Sequence, residues 1–164
     1  MPGQDSSGPR DGCIHTRGYE AFRQPNFECG CCEMLVFTVC GVRQNRYVFS
    51  HYCNPDIDER IFYCLLASMA AVQAENVRAS FLFVGDLNIN HREWLGSTST
   101  NPLVSACDQL VVDPTHAHGG TLNLLTTNVP DLVRVAVAAP IGNSDHSSLS
   151  AVISMAQVVP NLCE

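Results

Sequence analysis

Two runs of β-branched and aromatic residues follow Glu33 in the sequence. They occupy residues 34–39 and 46–52. Gly41 and the polar residues 43–45 separate them, which is typical of a turn between strands. The pattern therefore predicts a strand, a turn and a second strand.

A helix is predicted from about Ile57 to Gln73. Asn54-Pro55 ends the preceding strand, and Asp56 with Glu59 forms a capping-box pattern. Apolar residues then follow at helical spacing: Ile57, Ile61, Phe62, Leu65, Leu66 and Met69. The acidic residues of the first turn suit the positive end of the helix dipole, so we interpret them as helix-stabilising.

The residues Phe81–Val84 are apolar without alternation, which is typical of a strand covered on both faces. Further short strands are predicted where apolar runs are bounded by turn formers: 109–112, 121–126, 132–137 and 149–153. One helix followed by many short strands, without an internal repeat, predicts an α/β (α+β) layered sandwich.

The beginning of the chain lacks this organisation. Residues 1–18 are rich in Gly, Pro, Ser and charge and have no apolar period. We therefore predict an irregular or disordered leader over residues 1–32, one domain over residues 33–157, and a tail over residues 158–164.

Composition narrows the class of protein. Hydrophobic residues make up 46% of the 164 residues and charged residues 15%, which is a globular composition. The apolar run 61–72 is shorter than the roughly 18 residues that a membrane helix needs. The first ten residues have no secretion pattern, so we expect an intracellular protein, in the cytoplasm or nucleus.

The sequence contains nine cysteines. Without a secretion signal we expect them to be reduced thiols, with no structural disulfide. The cluster Cys29, Cys31, Cys32 and Cys40 lacks the paired spacing of a zinc finger or ribbon. We therefore favour thiols around a strand over a zinc site.

Two polar loops carry candidate chemistry. Asp86 and Asn88 follow the buried strand two residues apart, so in an extended chain their oxygens share a face and suit Mg²⁺. Asp145-His146 lies in a second loop, before an alternating strand, and pairs a carboxylate with an imidazole. An ordinary turn and a surface hydrogen-bonded pair are the respective alternatives. The two loops together favour an active site.

The order and spacing of four segments resemble the apurinic-endonuclease-like domains of non-LTR (LINE, jockey-like) retrotransposons: 83–88, His91 with Trp94, 121–124, and 144–147. These domains belong to the endonuclease/exonuclease/phosphatase superfamily. The resemblance covers roughly residues 33–155. It implies a partial four-layer sandwich of two packed β-sheets flanked by helices, and Mg²⁺-dependent hydrolysis of DNA phosphodiesters in a protein that also carries a reverse transcriptase.

The resemblance also implies roles for individual residues. Asp86 would orient or activate water and, with Asp145, bind Mg²⁺ or Mn²⁺. Asn88 would contact the phosphate, and His146 would stabilise the pentacovalent phosphate. Tyr52 would donate a hydrogen bond to the phosphate, its alternative being a half-buried strand residue.

The sequence departs from the family pattern in ways that predict weak activity. The family's metal-binding glutamate is not found, since Glu20, Glu28 and Glu33 are in no matching strand-end setting. Asn123 stands where the family has an aspartate that orients the histidine. A net charge of −7 also opposes DNA binding, which normally needs a basic face.

The sequence thus predicts a retrotransposon-derived, Mg²⁺-dependent DNA endonuclease with weak or no turnover. The alternative is a non-catalytic remnant that acts as a zinc-stabilised or edge-strand interaction module.

Overall fold

The structure of the chain is a computed structural model, and it describes residues 13–16, 19–30, 33–41, 44–54, 60–88 and 107–154. The elements within these ranges are β1 Cys13–Thr16, β2 Tyr19–Arg23, β3 Glu33–Val39, β4 Arg46–Tyr52, α1 Arg60–Glu75, β5 Ser80–Asp86, β6 Asp108–Gln109, β7 Asn123–Thr127, β8 Val133–Pro140 and β9 Ser147–Ile153. Short 3₁₀ turns precede β3 and β8, at Pro25–Phe27 and Pro130–Leu132.

Seven of these strands form one sheet, in the order β1-β2-β3-β4-β5-β7-β6, and β8 pairs with β9 in a second sheet. β4 and β5 are parallel, whereas the other neighbours are antiparallel. A parallel pair needs a crossover, and the segment containing α1 provides it.

The larger sheet is covered on both faces. Phe81 and Phe83 of β5 pack with Leu65, Met69 and Val72 of α1 in one core. On the opposite face the smaller sheet covers a second core, whose buried members are Leu82, Val111, Leu125 and Val133. Burying each large apolar side chain contributes roughly 1.5–3 kcal/mol. The predicted layered α/β fold and the two-sided burial of β5 are confirmed.

Most predicted elements are present with small shifts in their bounds. β3, β4, β7, β8 and β9 match predicted strands, whereas the strand predicted over 109–112 is wrong beyond Gln109, because β6 comprises only Asp108–Gln109. α1 matches the predicted helix from Arg60 onward. The predicted capping residues Asp56 and Glu59 lie outside the described residues.

Two predictions are wrong. Residues 1–32 are not an irregular leader throughout, because β1 and β2 extend the sheet from β3 through antiparallel backbone pairing that needs no strong apolar period. Cys64 is disulfide-bonded, so the expectation of reduced thiols without a structural disulfide is wrong. Cys29 and Cys40 are half-buried, and Cys31 and Cys32 lie outside the described residues.

No described helix has the length and apolarity to cross a membrane.

Candidate active site

A row of polar side chains crosses one end of the larger sheet. Glu33 pairs with Tyr52, Tyr52 with Asp86, and Asp86 with Asn123. Residues directly opposite in neighbouring strands point to the same face. The strand register therefore places two carboxylates, a phenol and an amide side by side, at the end where β4 and β5 finish.

Backbone contacts hold Asp86 in this row tightly. The amide of Cys53 donates to the carbonyl of Asp86 at 2.9 Å. Gly85 lies so close to β4 that an added Cβ would be 1.8 Å from the carbonyl oxygen of His51. Only glycine fits there, so the glycine before Asp86 lets β5 approach β4 without a side chain between them.

Asn88 does not continue the extended strand. Its φ is +53°, its backbone N–H donates to Asp86 Oδ1 at 2.9 Å, and its side-chain amide donates to the carbonyl of Cys53 at 2.7 Å. The extended geometry predicted from residue spacing is therefore wrong at Asn88. The turn instead makes Asn88 a support for the Asp86 carboxylate.

His146 stands over the Asp86–Asn123 pair. Its Nδ1 lies 3.0 Å from Asn123 Oδ1 and 3.7 Å from Asp86 Oδ2. Asn123 Nδ2 donates to the carbonyl of Ser147 at 3.2 Å, which turns the amide oxygen towards the imidazole. An amide oxygen only accepts, so Nδ1 of His146 carries the proton and Nε2 faces outward.

Asp145 is on the outer side of His146. Its Oδ1 lies 4.0 Å from His146 Nε2, and its Oδ2 lies 3.3 Å from His116 Nε2. The Asp145 side chain is 67% exposed. Its own backbone N–H, and then the hydrogen bond from His116, hold the pKa of this carboxyl below its usual range.

The two loops that carry these groups are tied together by backbone. Ser147 N–H donates to the carbonyl of Thr115 at 2.7 Å, and Ala117 N–H donates to the carbonyl of Asp145 at 2.9 Å. Between these two bonds, His116 and His146 pair as an isolated antiparallel β-bridge. The hydroxyl of fully buried Thr115 also accepts from the backbone N–H groups of Leu122 and Asn123, each at 2.9 Å.

Of the residues singled out from the sequence, Tyr52, Asp86, Asn123, Asp145 and His146 come together in this site. Tyr52 is 46% exposed, so its hydroxyl is accessible from solvent. His91 and Trp94 lie outside the described residues.

Two residues were missed in the sequence. The sequence shows no matching strand-end setting for Glu33, but the β3–β4 hairpin places this exposed residue at the end of the polar row. The alternate positions of His116 and His118 in a turn predict solvent-facing side chains, but the His116 side chain is only 16% exposed. The signal that could have found it is its position five residues before the Thr121–Leu124 segment of the resemblance.

The carboxylates of the site fit a hard divalent ion. Mg²⁺ takes one or two carboxylates and fills its shell with water and substrate phosphate. Asp86 and the exposed Asp145 are carboxylates of this type, on opposite sides of the His146 ring. A bound ion would neutralise charge on a phosphate.

Solved structures with the same fold include the endonuclease domain of TRAS1, a telomere-specific non-LTR retrotransposon. It is 16% identical, with a TM-score of 0.69 over 87% of this chain and 70% of that domain. The cytolethal distending toxin of Haemophilus ducreyi is 14% identical, with a TM-score of 0.57 over 81% of this chain and 57% of the toxin chain.

The corresponding toxin of Actinobacillus actinomycetemcomitans is 14% identical, with a TM-score of 0.54 over 73% of this chain and 52% of the toxin chain. This chain therefore spans little more than half the length of the two toxin chains. No protein-family model matches the sequence, and no curated protein sequence matches it. The chain shares the fold of these solved structures, which confirms the two-sheet α/β fold expected from the sequence resemblance.

Proposed function

We propose that the chain is a metal-dependent DNA endonuclease domain of the kind found in non-LTR retrotransposons, with slow turnover. The observation that carries the proposal is the convergence of Asp86, Asn123 and His146 at one sheet end, with Asp145 beside them. A carboxylate 3.7 Å from an imidazole whose orientation is fixed by Asn123 supplies the parts that water attack on a phosphodiester needs.

In this proposal Asp86 orients a water molecule and accepts its proton as the new oxygen–phosphorus bond forms and the bond to the leaving oxygen breaks. The outward Nε2 of His146, when protonated, donates to a phosphate oxygen. Tyr52 donates a second hydrogen bond. Asn88 holds Asp86 in place, and Asp145 with Asp86 would hold the Mg²⁺ or Mn²⁺ that neutralises phosphate charge.

Slow turnover follows from the partner of His146. An aspartate at position 123 would stabilise a charged imidazole, whereas the amide of Asn123 fixes its orientation without offsetting its charge. The comparable carboxylate-to-amide change in a serine protease costs about ten-thousandfold in rate. The net charge of −7 further weakens binding to a polyanion, so the assay requires low salt.

The test is nicking of supercoiled plasmid at low ionic strength, with and without Mg²⁺. We expect slow nicking that chelator abolishes and that Asp86→Asn reduces at least about a hundredfold. The control is Asp131→Asn, which neutralises an exposed aspartate in the turn before β8, at the opposite end of the hairpin. Equal nicking by all three chains, or none by the parent at high concentration, would overturn the proposal.

A further inference from the structure

Beside the carboxylates just described, the structure gathers a second donor set of different chemistry. The side chains of His116, Asp145 and His146 each offer one ligand atom, and these atoms lie within 4.8 Å of one another. We infer that this trio is a binding site for a divalent transition ion, with Zn²⁺ as the representative, and that the ion inhibits the endonuclease.

The donor types decide the class of ion. Imidazole suits zinc, copper, nickel and iron, whereas Mg²⁺ prefers an all-oxygen shell. Two imidazoles and one carboxylate, with an open fourth position, are a recognised ligand set for Zn²⁺. Each donor needs to move by less than about 1 Å to reach zinc bond lengths of roughly 2.0–2.2 Å.

Both imidazoles are held in position before any ion binds. The hydrogen bond from Nδ1 of His146 to Asn123 leaves the lone pair of Nε2 directed towards Asp145. An outer partner of this kind fixes the tautomer of a metal-binding histidine. The backbone bonds between the loops at 115–117 and 145–147 fix the spacing of the two rings, whose centroids are 4.8 Å apart.

His116 requires one rearrangement. The backbone N–H of His118 donates to His116 Nδ1 at 3.3 Å, which places the imidazole proton on Nε2, facing Asp145. Coordination through Nε2 moves this proton to Nδ1 and breaks the bond to His118. That bond is long and lies in an exposed turn, so water replaces it on coordination. The exposed Asp145 side chain is able to rotate onto the ion.

Inhibition follows from which atoms the ion would occupy. The ion takes Nε2 of His146, the atom that meets the phosphate in the proposed endonuclease, and the Asp145 carboxylate. This part of the inference rests on the proposed function, whereas zinc binding itself does not.

The binding test is a calorimetric titration of Zn²⁺ into three proteins: the parent chain, His116→Gln and His118→Gln. His116→Gln removes an imidazole and keeps a donor to Asp145. We expect its affinity at this site to fall at least about tenfold, with His118→Gln unchanged. The cysteine thiols also bind zinc, but they are identical in the three chains and cancel in the comparison.

The absorption spectrum of the Co²⁺-loaded chain gives a second readout. Coordination by histidine and aspartate gives ligand-field bands without thiolate charge-transfer bands, and these ligand-field bands are lost in His116→Gln. Equal zinc affinity in the parent and His116→Gln, or a Co²⁺ spectrum dominated by thiolate bands, would overturn the site.

The inhibition is tested on plasmid nicking in Mg²⁺ with added micromolar Zn²⁺. Zinc should slow the parent and should be at least about tenfold less potent on His116→Gln. Zinc binding without inhibition would refute only the competition, and absence of nicking in Mg²⁺ alone would refute the proposed function while the binding result stands.

Discussion

His51 makes the folded chain sensitive to acid. It follows Tyr47 and Phe49 on the helix-facing side of β4 and is 5% exposed. Burial lowers the pKa of His51 from 6.5 to about 4. At the pH values at which His51 of the unfolded chain begins to gain a proton, His51 of the folded chain is therefore still neutral.

The sign of the effect follows from this order of pKa values. Above pH 6.5 both states are neutral at this residue, and as the pH falls towards about 4 only the unfolded chain gains the proton. The contribution of neutral His51 to the free energy of unfolding is thus fully present above pH 6.5 and is lost as the pH falls. Between about pH 8 and about pH 5 the loss is about 2 kcal/mol, because one pKa unit corresponds to about 1.4 kcal/mol.

The substitution His51→Phe removes the titrating group and keeps a similar ring. We expect its unfolding free energy in urea, relative to the parent, to rise by about 2 kcal/mol between about pH 8 and about pH 5. The control His118→Phe changes an exposed histidine and should shift stability by less than about 0.5 kcal/mol at either pH. A parent-to-variant difference that is the same at both pH values would refute the account of His51.

Two further predictions concern the supports of the site. Gly85→Ala should destabilise the chain by at least about 3 kcal/mol in urea unfolding, because the new Cβ meets backbone of β4, while Gly30→Ala, with open space at its Cβ position, should cost little. Thr115→Val leaves two backbone N–H groups without their acceptor and should cost about 2–4 kcal/mol, whereas Thr115→Ser should retain most of the stability. Equal effects of valine and serine would show that the hydroxyl does not carry this support.

Much of the fold could be predicted from the sequence because its core strands have distinct patterns. The run of β-branched and aromatic residues in β3 is typical of a strand, and the uninterrupted apolar run in β5 reflects its two-sided burial directly. β1 and β2 could not be predicted this way, since these two outer strands are held largely by backbone pairing. The order of the sheet also depends on contacts between residues far apart in sequence.

The residues of the candidate site likewise fall into those that local sequence patterns predict and those that depend on long-range pairing. Asp86 and the Asp145-His146 pair were found because each lies next to a recognisable strand boundary. Glu33 and His116 were missed because their positions depend on pairing with β4 and on the bridge between two loops. The prediction that Asn88 shares a face with Asp86 is wrong because it assumes an extended chain. The left-handed φ of Asn88 turns the chain instead.

The substitution Asn123→Asp tests whether Asp86, Asn123 and His146 form a phosphodiesterase site whose turnover is limited by the amide. The variant loses the hydrogen bond to the Ser147 carbonyl, so its unfolding free energy is measured alongside. We predict that plasmid nicking in Mg²⁺ becomes at least about tenfold faster than in the parent chain, below the roughly ten-thousandfold ceiling of the comparable protease change. Nicking no faster than the parent, by a variant that is folded, would contradict the account.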